Sequence, residues 1–102
     1  MSAWKQFERD CAKFFNARRY PANTGGRVDF ASDSVVGQAK LVQTMSLETL
    51  SQWAEEIAGL AGPERIGVVC VKVRRGRGRA SQPLVVLTFP QAKRAGLPEW
   101  KY

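Results

Sequence analysis

The sequence predicts an α/β domain: a mixed sheet of about four strands flanked by helices, in the order α-β-β-α-β-β. Three observations predict it. Two amphipathic helical stretches alternate with β-branched runs, and one of those runs is apolar almost without a break. The connection between the first two runs is so short that a hairpin is the economical solution. With 102 residues, 44% of them hydrophobic and 25% charged, residues 1–102 read as one domain with a modest core, and no repeat or linker divides them.

Residues Ala3 to Arg19 read as the first helix. Trp4, Phe7, Cys11, Phe14 and Phe15 fall on one stripe, and Lys5, Gln6, Arg9, Lys13 and Asn16 fall opposite. Glu8 lies inside the apolar stripe, where a carboxylate is costly unless something satisfies it. Pro21 ends the helix, and Asn23-Thr24-Gly25-Gly26 forms a turn. Arg27 to Ala31 and Val35 to Val42 then read as strands of an antiparallel hairpin around Ser32-Asp33-Ser34.

Ser46 is the expected N-cap of a second helix, with Glu48 in its first turn. Leu47, Leu50, Ala54, Ile57, Ala58 and Ala61 form its inward stripe, Trp53 packs at the rim, and Gly62-Pro63 stops it. Ile66 to Val73 and Pro83 to Phe89 read as two further strands, the first covered on both faces. Gln91 to Ala95 form a short last helix. A tail from about residue 96 to 102 carries Trp100 and Tyr102, which pack onto the body or onto a second subunit.

Composition narrows the chemistry. There is no histidine, which excludes Ser-His-Asp and Cys-His nucleophile activation and His-ligated zinc. Cys11 and Cys70 are too few and too far apart in sequence for a thiolate metal site or a disulfide framework, so both read as small buried apolar residues of a reducing compartment. No run is long enough to span a membrane and no export leader opens the chain, so a soluble, cytoplasmic protein is expected. Lys and Arg number 16 against 9 Asp and Glu, a net charge of +7 that favours a polyanionic partner. Any catalysis must come from carboxylates, lysine or a hard metal ion.

Asp29, Gln38 and Lys40 are polar residues inside apparent strands. Gln38 and Lys40 are two apart and share a face. If Asp33-Ser34 is a two-residue turn tip, paired positions sum to 67 and Asp29 stands opposite Gln38, with β-carbons about 4.5–5.5 Å apart. A carboxylate, an amide oxygen and an ammonium on one patch suit a magnesium ion and a phosphate substrate. A solvated edge hairpin has the same spacing, so the spacing alone does not decide between them.

The order of the whole chain adds to that reading. Phe7-Glu8-Arg9 in a helix, Thr24-Gly25-Gly26-Arg27-Val28-Asp29 leading into a strand, Gln38-Ala39-Lys40 in the next, and a helix after it resemble the PD-(D/E)xK nuclease superfamily. Within it, the chain is most similar to the small archaeal and phage Holliday-junction resolvases. The resemblance implies a restriction-endonuclease-like core and a magnesium-dependent DNA endonuclease, with manganese as a substitute ion and no small-molecule cofactor. It implies Glu8, Asp29 and Gln38 as metal ligands, Lys40 as the residue assisting the attacking water, and a homodimer acting on branched DNA. Val28 stands where the motif has proline, and Gln38 where Glu is commoner.

Lys72, Arg74, Arg75, Arg77 and Arg79, interrupted by Gly76 and Gly78 and by no acid, form a cationic loop between two strands. With Thr24 and Arg27 they are the candidate DNA-binding residues; such contacts give sequence-independent, salt-sensitive affinity. The alternative function is a nucleic-acid-binding protein that keeps the nuclease fold without catalysis.

Overall fold

The computed structural model describes residues 2–20, 27–76 and 78–97. Elements follow in the order α1 (Ala3–Phe14), β1 (Arg18–Arg19), β2 (Phe30–Ala31), β3 (Val35–Val42), α2 (Leu47–Ala61), β4 (Ile66–Val73), β5 (Leu84–Val86) and α3 (Phe89–Arg94). The strands form one mixed sheet in the order β1-β2-β3-β4-β5. β3 and β4 run parallel, joined by α2, and every other neighbouring pair is antiparallel. The α/β class with a mixed sheet is therefore found, but with five strands rather than about four.

The extra strand comes from an early helix stop. Asn16 adopts φ 53, the left-handed conformation that asparagine tolerates better than most residues. The Ala17 N–H closes onto the Ala12 carbonyl at 2.8 Å and the Asn16 N–H onto Lys13 at 3.1 Å, a Schellman-type cap. The chain thus leaves the helix seven residues before Pro21 and pairs Arg18 with Ala31 and Arg19 with Phe30. Phe14, expected on the inward stripe, is 75% exposed, and Trp4 is 44% exposed. Phe15, expected on the same stripe, does pack inward and stacks on Phe30.

β3 and β4 begin and end where the sequence predicts. The hairpin turn also follows expectation: Ser32 and Val35 flank it, Ser32 Oγ accepts the Ser34 and Val35 N–H groups, and both β2–β3 pairs sum to 67. Ser46 caps α2 by accepting the Thr49 N–H at 3.0 Å, while Leu47, in the first turn, is 84% exposed rather than inward. β5 is shorter than expected because Thr88 N-caps α3, with Pro90 in the first turn. The expected Gly25-Gly26 turn and the residues from 98 onward, including Trp100 and Tyr102, lie outside the described residues.

Strand alternation sends Phe30, Val35, Ala39, Val68 and Cys70 towards α1, and Ala31, Val36, Val69 and Val71 towards α2. β4 is buried on both faces, as its near-continuous apolarity predicts. Gly67 packs directly beneath the α2 backbone: an added Cβ would lie 2.5 Å from the Ile57 carbonyl oxygen. The buried Gln91 side chain accepts the Gly67 N–H at 2.8 Å, and Arg94 donates to the Gly62 and Arg65 carbonyls, so α3 pins the turn between α2 and β4. The fold also brings Cys11 and Cys70 together, although 58 residues separate them in sequence. Their hydrogen bond, and then burial, push the Cys11 thiol far above the ordinary range.

Two outcomes follow from this packing. Gly67→Ala should destabilise the fold by about 1–3 kcal/mol through overpacking against the α2 backbone, whereas Gly59→Ala, whose Cβ meets open space, should stabilise it by up to about 1 kcal/mol; urea titrations of both variants check the pair. A thiol raised by folding keeps its proton in the folded chain, so its contribution is full below the unfolded cysteine pKa of about 8.5 and declines as pH rises beyond it. The urea midpoint should therefore fall less between about pH 7 and about pH 10 in Cys11→Ala than in the wild type.

Candidate functional site

The site forms where β2 leaves the sheet. Phe30 pairs with Gly37, but the Asp29 N–H also donates to the Gly37 carbonyl, at 2.9 Å, so the next residue slips out of register and the ladder stops. The Asp29 carboxylate then takes the place of a main-chain acceptor: its Oδ2 accepts the Ala39 N–H at 2.8 Å. Gln38 answers from the other side, its Nε2 donating to the Arg27 carbonyl at 2.8 Å. Asp29 and Gln38 are thus not a simple cross-strand pair. Their side chains cross in opposite senses, Asp29 reaching the main chain of β3 and Gln38 the main chain two residues before Asp29.

Gln38 is 3% exposed, and its Nε2 also donates to the Glu56 carboxylate of α2 at 3.1 Å. Both partners are acceptors, so the amide orientation is fixed by chemistry: the nitrogen must face them and the oxygen must face away. Among the described residues Gln38 Oε1 is consequently buried with no donor, a state that costs about 1–3 kcal/mol if left so. Lys40 lies on the same face, as its spacing predicts, with its ammonium 4.7 Å from the centroid of the Trp53 ring.

Glu8 is elsewhere. It is 3% exposed and is satisfied by Arg19 of β1, whose Nε donates to Oε1 at 2.8 Å, which answers how an acid survives on the apolar stripe of α1. Among the described residues no hydrogen bond links it to Asp29, Gln38 or Lys40. Glu56 is the residue that sequence reasoning missed. Its signal was its position: one turn after Trp53 and beside the buried Ile57, it lies on the border of the inward face of α2. No three of His, Cys, Asp and Glu gather among the described residues; the oxygen groups around this strand segment are the Glu56 carboxylate on the Gln38 amide and the Asp29 carboxylate on the Ala39 N–H.

The cationic loop lies on the other side of the sheet. Lys72 pairs with Leu41 and faces α1, whereas Gln38 and Lys40 face α2. Arg74, Arg75 and Arg79 are exposed, as is Arg27; Thr24 and Arg77 lie outside the described residues. Among the described residues no helix is long and apolar enough to cross a membrane. Comparison of the chain with known protein families, curated proteins and solved structures finds no match.

Gln38→Glu tests the geometry directly. It removes both donated hydrogen bonds and sets a carboxylate against the Arg27 carbonyl and Glu56. In chelator the variant should lose about 2–4 kcal/mol of stability. Millimolar magnesium or manganese should restore much of that loss while changing the wild type less, as thermal melts with and without the ion will show.

Proposed function

We propose that the protein is a metal-dependent DNA endonuclease of the resolvase type. The observation that carries the reading is the buried oxygen of Gln38, without a donor among the described residues, on an amide whose nitrogen is bonded to Glu56 and whose neighbour Ala39 is bonded to the Asp29 carboxylate. A sheet-terminating role accounts for the bonded oxygen of Asp29, but not for an acceptor buried without a donor. Oxygen donors of this kind fit magnesium, which takes a few protein ligands and keeps several waters. Asp29, Gln38 and Glu56 would hold the ion, and Glu56 supplies the negative charge that Gln38 lacks. When bound, the ion would polarise a phosphoryl oxygen and lower the pKa of a water.

The chain's own groups do the rest. Lys40, its ammonium steadied by the Trp53 ring, orients water or balances charge growing on phosphorus. Glu8, which the resemblance places among the ligands, acts through Arg19 and β1 on the position of Asp29, since the Tyr20 N–H donates to the Asp29 carbonyl at 2.8 Å. Arg27 and the cationic loop hold the DNA backbone. The helix bearing Glu8, the strand carrying Gln38 and Lys40, and the following helix come in the order on which the resemblance rests, with Asp29 just before its expected strand rather than within it, and a restriction-endonuclease-like core is part of the same proposal. So is a homodimer: Phe14, Leu84 and Val85 leave an exposed apolar surface around a cleft of about 350 Å³ beside the edge strand β5.

The second reading, DNA binding without cleavage, draws on the neutral Gln38 and on the engagement of Glu8 by Arg19. Cleavage of a labelled four-way junction and of a duplex in magnesium separates the two. Lys40→Ala should reduce turnover at least a hundredfold with unchanged metal affinity, because an ammonium is not a ligand. Asp29→Asn should abolish cleavage while leaving junction binding intact. Cleavage by Asp29→Asn at the wild-type rate, or none by the wild type in either ion, would remove the nuclease reading.

A further inference from the structure

A recess of about 290 Å³ opens beneath the amino end of α1, lined by Ala3, Leu41, Lys72, Arg74, Arg75 and Arg79 among others. Leu41 and Lys72 are half-buried and lie inward; the three arginines are exposed at the rim. No acid lines the recess, and among the described residues none of the four cations is in an ion pair. Such a convergence of like charge is self-repelling and calls for an anion.

The main chain that carries the cations is tied down. Ser81 Oγ donates to the Val73 carbonyl at 2.6 Å and the Arg74 N–H to the Val42 carbonyl at 2.7 Å, so both ends of the loop are tied to the sheet. The Arg79 N–H closes a turn onto the Gly76 carbonyl at 3.1 Å. α1, 12 residues long and with no acid in its first turn, adds the partial positive charge of its amino end where Ala3 meets the recess.

Position separates this recess from the candidate metal site. Lys72 and Leu41 face α1, and Gln38 and Lys40 face α2, so one phosphate cannot serve both. A phosphodiester along an open surface carries one charge and is ordinarily met by about one cation. Four cations and a helix end converging on a recess suit a more highly charged group that ends there. A phosphomonoester, with about −1.5 to −2 charges, is such a group.

We propose that this recess binds the terminal phosphate of a nucleic-acid strand, so that the preferred substrate has a phosphorylated end, as at a nick, gap or flap. The inference rests on the nucleic-acid reading above and names its substrate class.

Fluorescence anisotropy of gapped duplexes carrying a 5′-phosphate, a 3′-phosphate or hydroxyls at both ends of the gap, beside an intact duplex of the same length, tests it. One phosphorylated end should bind about tenfold more tightly than the hydroxyl form, the worth of one charge-assisted contact; the two phosphate positions show which end is read. The Arg75→Ser/Arg79→Ser double variant, changed only at exposed positions, should lose that preference. Lys72→Met should lose it as well, with its melting temperature checked against the wild type. Equal affinity for phosphate and hydroxyl ends, with salt-dependent binding retained, overturns the terminal-phosphate site and leaves DNA binding standing. A preference undiminished in both variants places phosphate recognition elsewhere and also overturns it. Absence of salt-dependent binding to every DNA overturns both this site and the reading on which it rests.

Discussion

One carboxylate organises the functional end of the molecule. Asp29 Oδ2 accepts the Ala39 N–H, a donor that continued pairing of β2 would give to a main-chain carbonyl. Because a side chain satisfies it, β2 is confined to Phe30–Ala31, and residues 27 and 28 leave the sheet without orphaning the Ala39 N–H. The released Arg27 carbonyl is what Gln38 reaches. That bond and the one to Glu56 dictate which way the amide points, and so leave a buried oxygen with no partner among the described residues. Removing the Asp29 acceptor would unpair the Ala39 N–H and release Arg27, Gln38 and Glu56 from one another.

The two faces of β3 and β4 divide the work that the charge of the protein suggests. Towards α2 lie the oxygen donors and the lysine, at the margin between a buried amide and an exposed glutamate. Towards α1 lies an apolar core that ends in a cationic recess. A parallel β3–β4 pair makes this possible, because both strands end on the same side of the molecule and bring Lys40 and Lys72 there on opposite faces.

Where local chemistry decides the structure, the sequence could be read. β3 and β4 are β-branched runs whose ends match their composition, Ser46 caps a helix by its own side chain, and the Asp33-Ser34 turn sets the register. Where tertiary competition decides, it could not. Asn16 ends α1 because a left-handed cap there frees Arg18 and Arg19 to pair with β2, and a helical wheel carries no information about that alternative. Phe14 and Leu47 fit their apolar stripes but are the terminal residues of their helices and are exposed there. At the site, the facing of Gln38 and Lys40 follows from their spacing; the pairing of Glu8 with Arg19 and the approach of Glu56 depend on how the helices dock.

The most direct measurement is a crystal structure of the wild-type protein grown with manganese, with the ion located by its anomalous scattering. The account predicts a peak within direct ligand distance of Gln38 Oε1 and an Asp29 carboxylate oxygen, with Glu56 turned towards it. Gln38 Oε1 bonded instead to a protein or water donor, with no anomalous peak beside Asp29 at millimolar manganese, would contradict it.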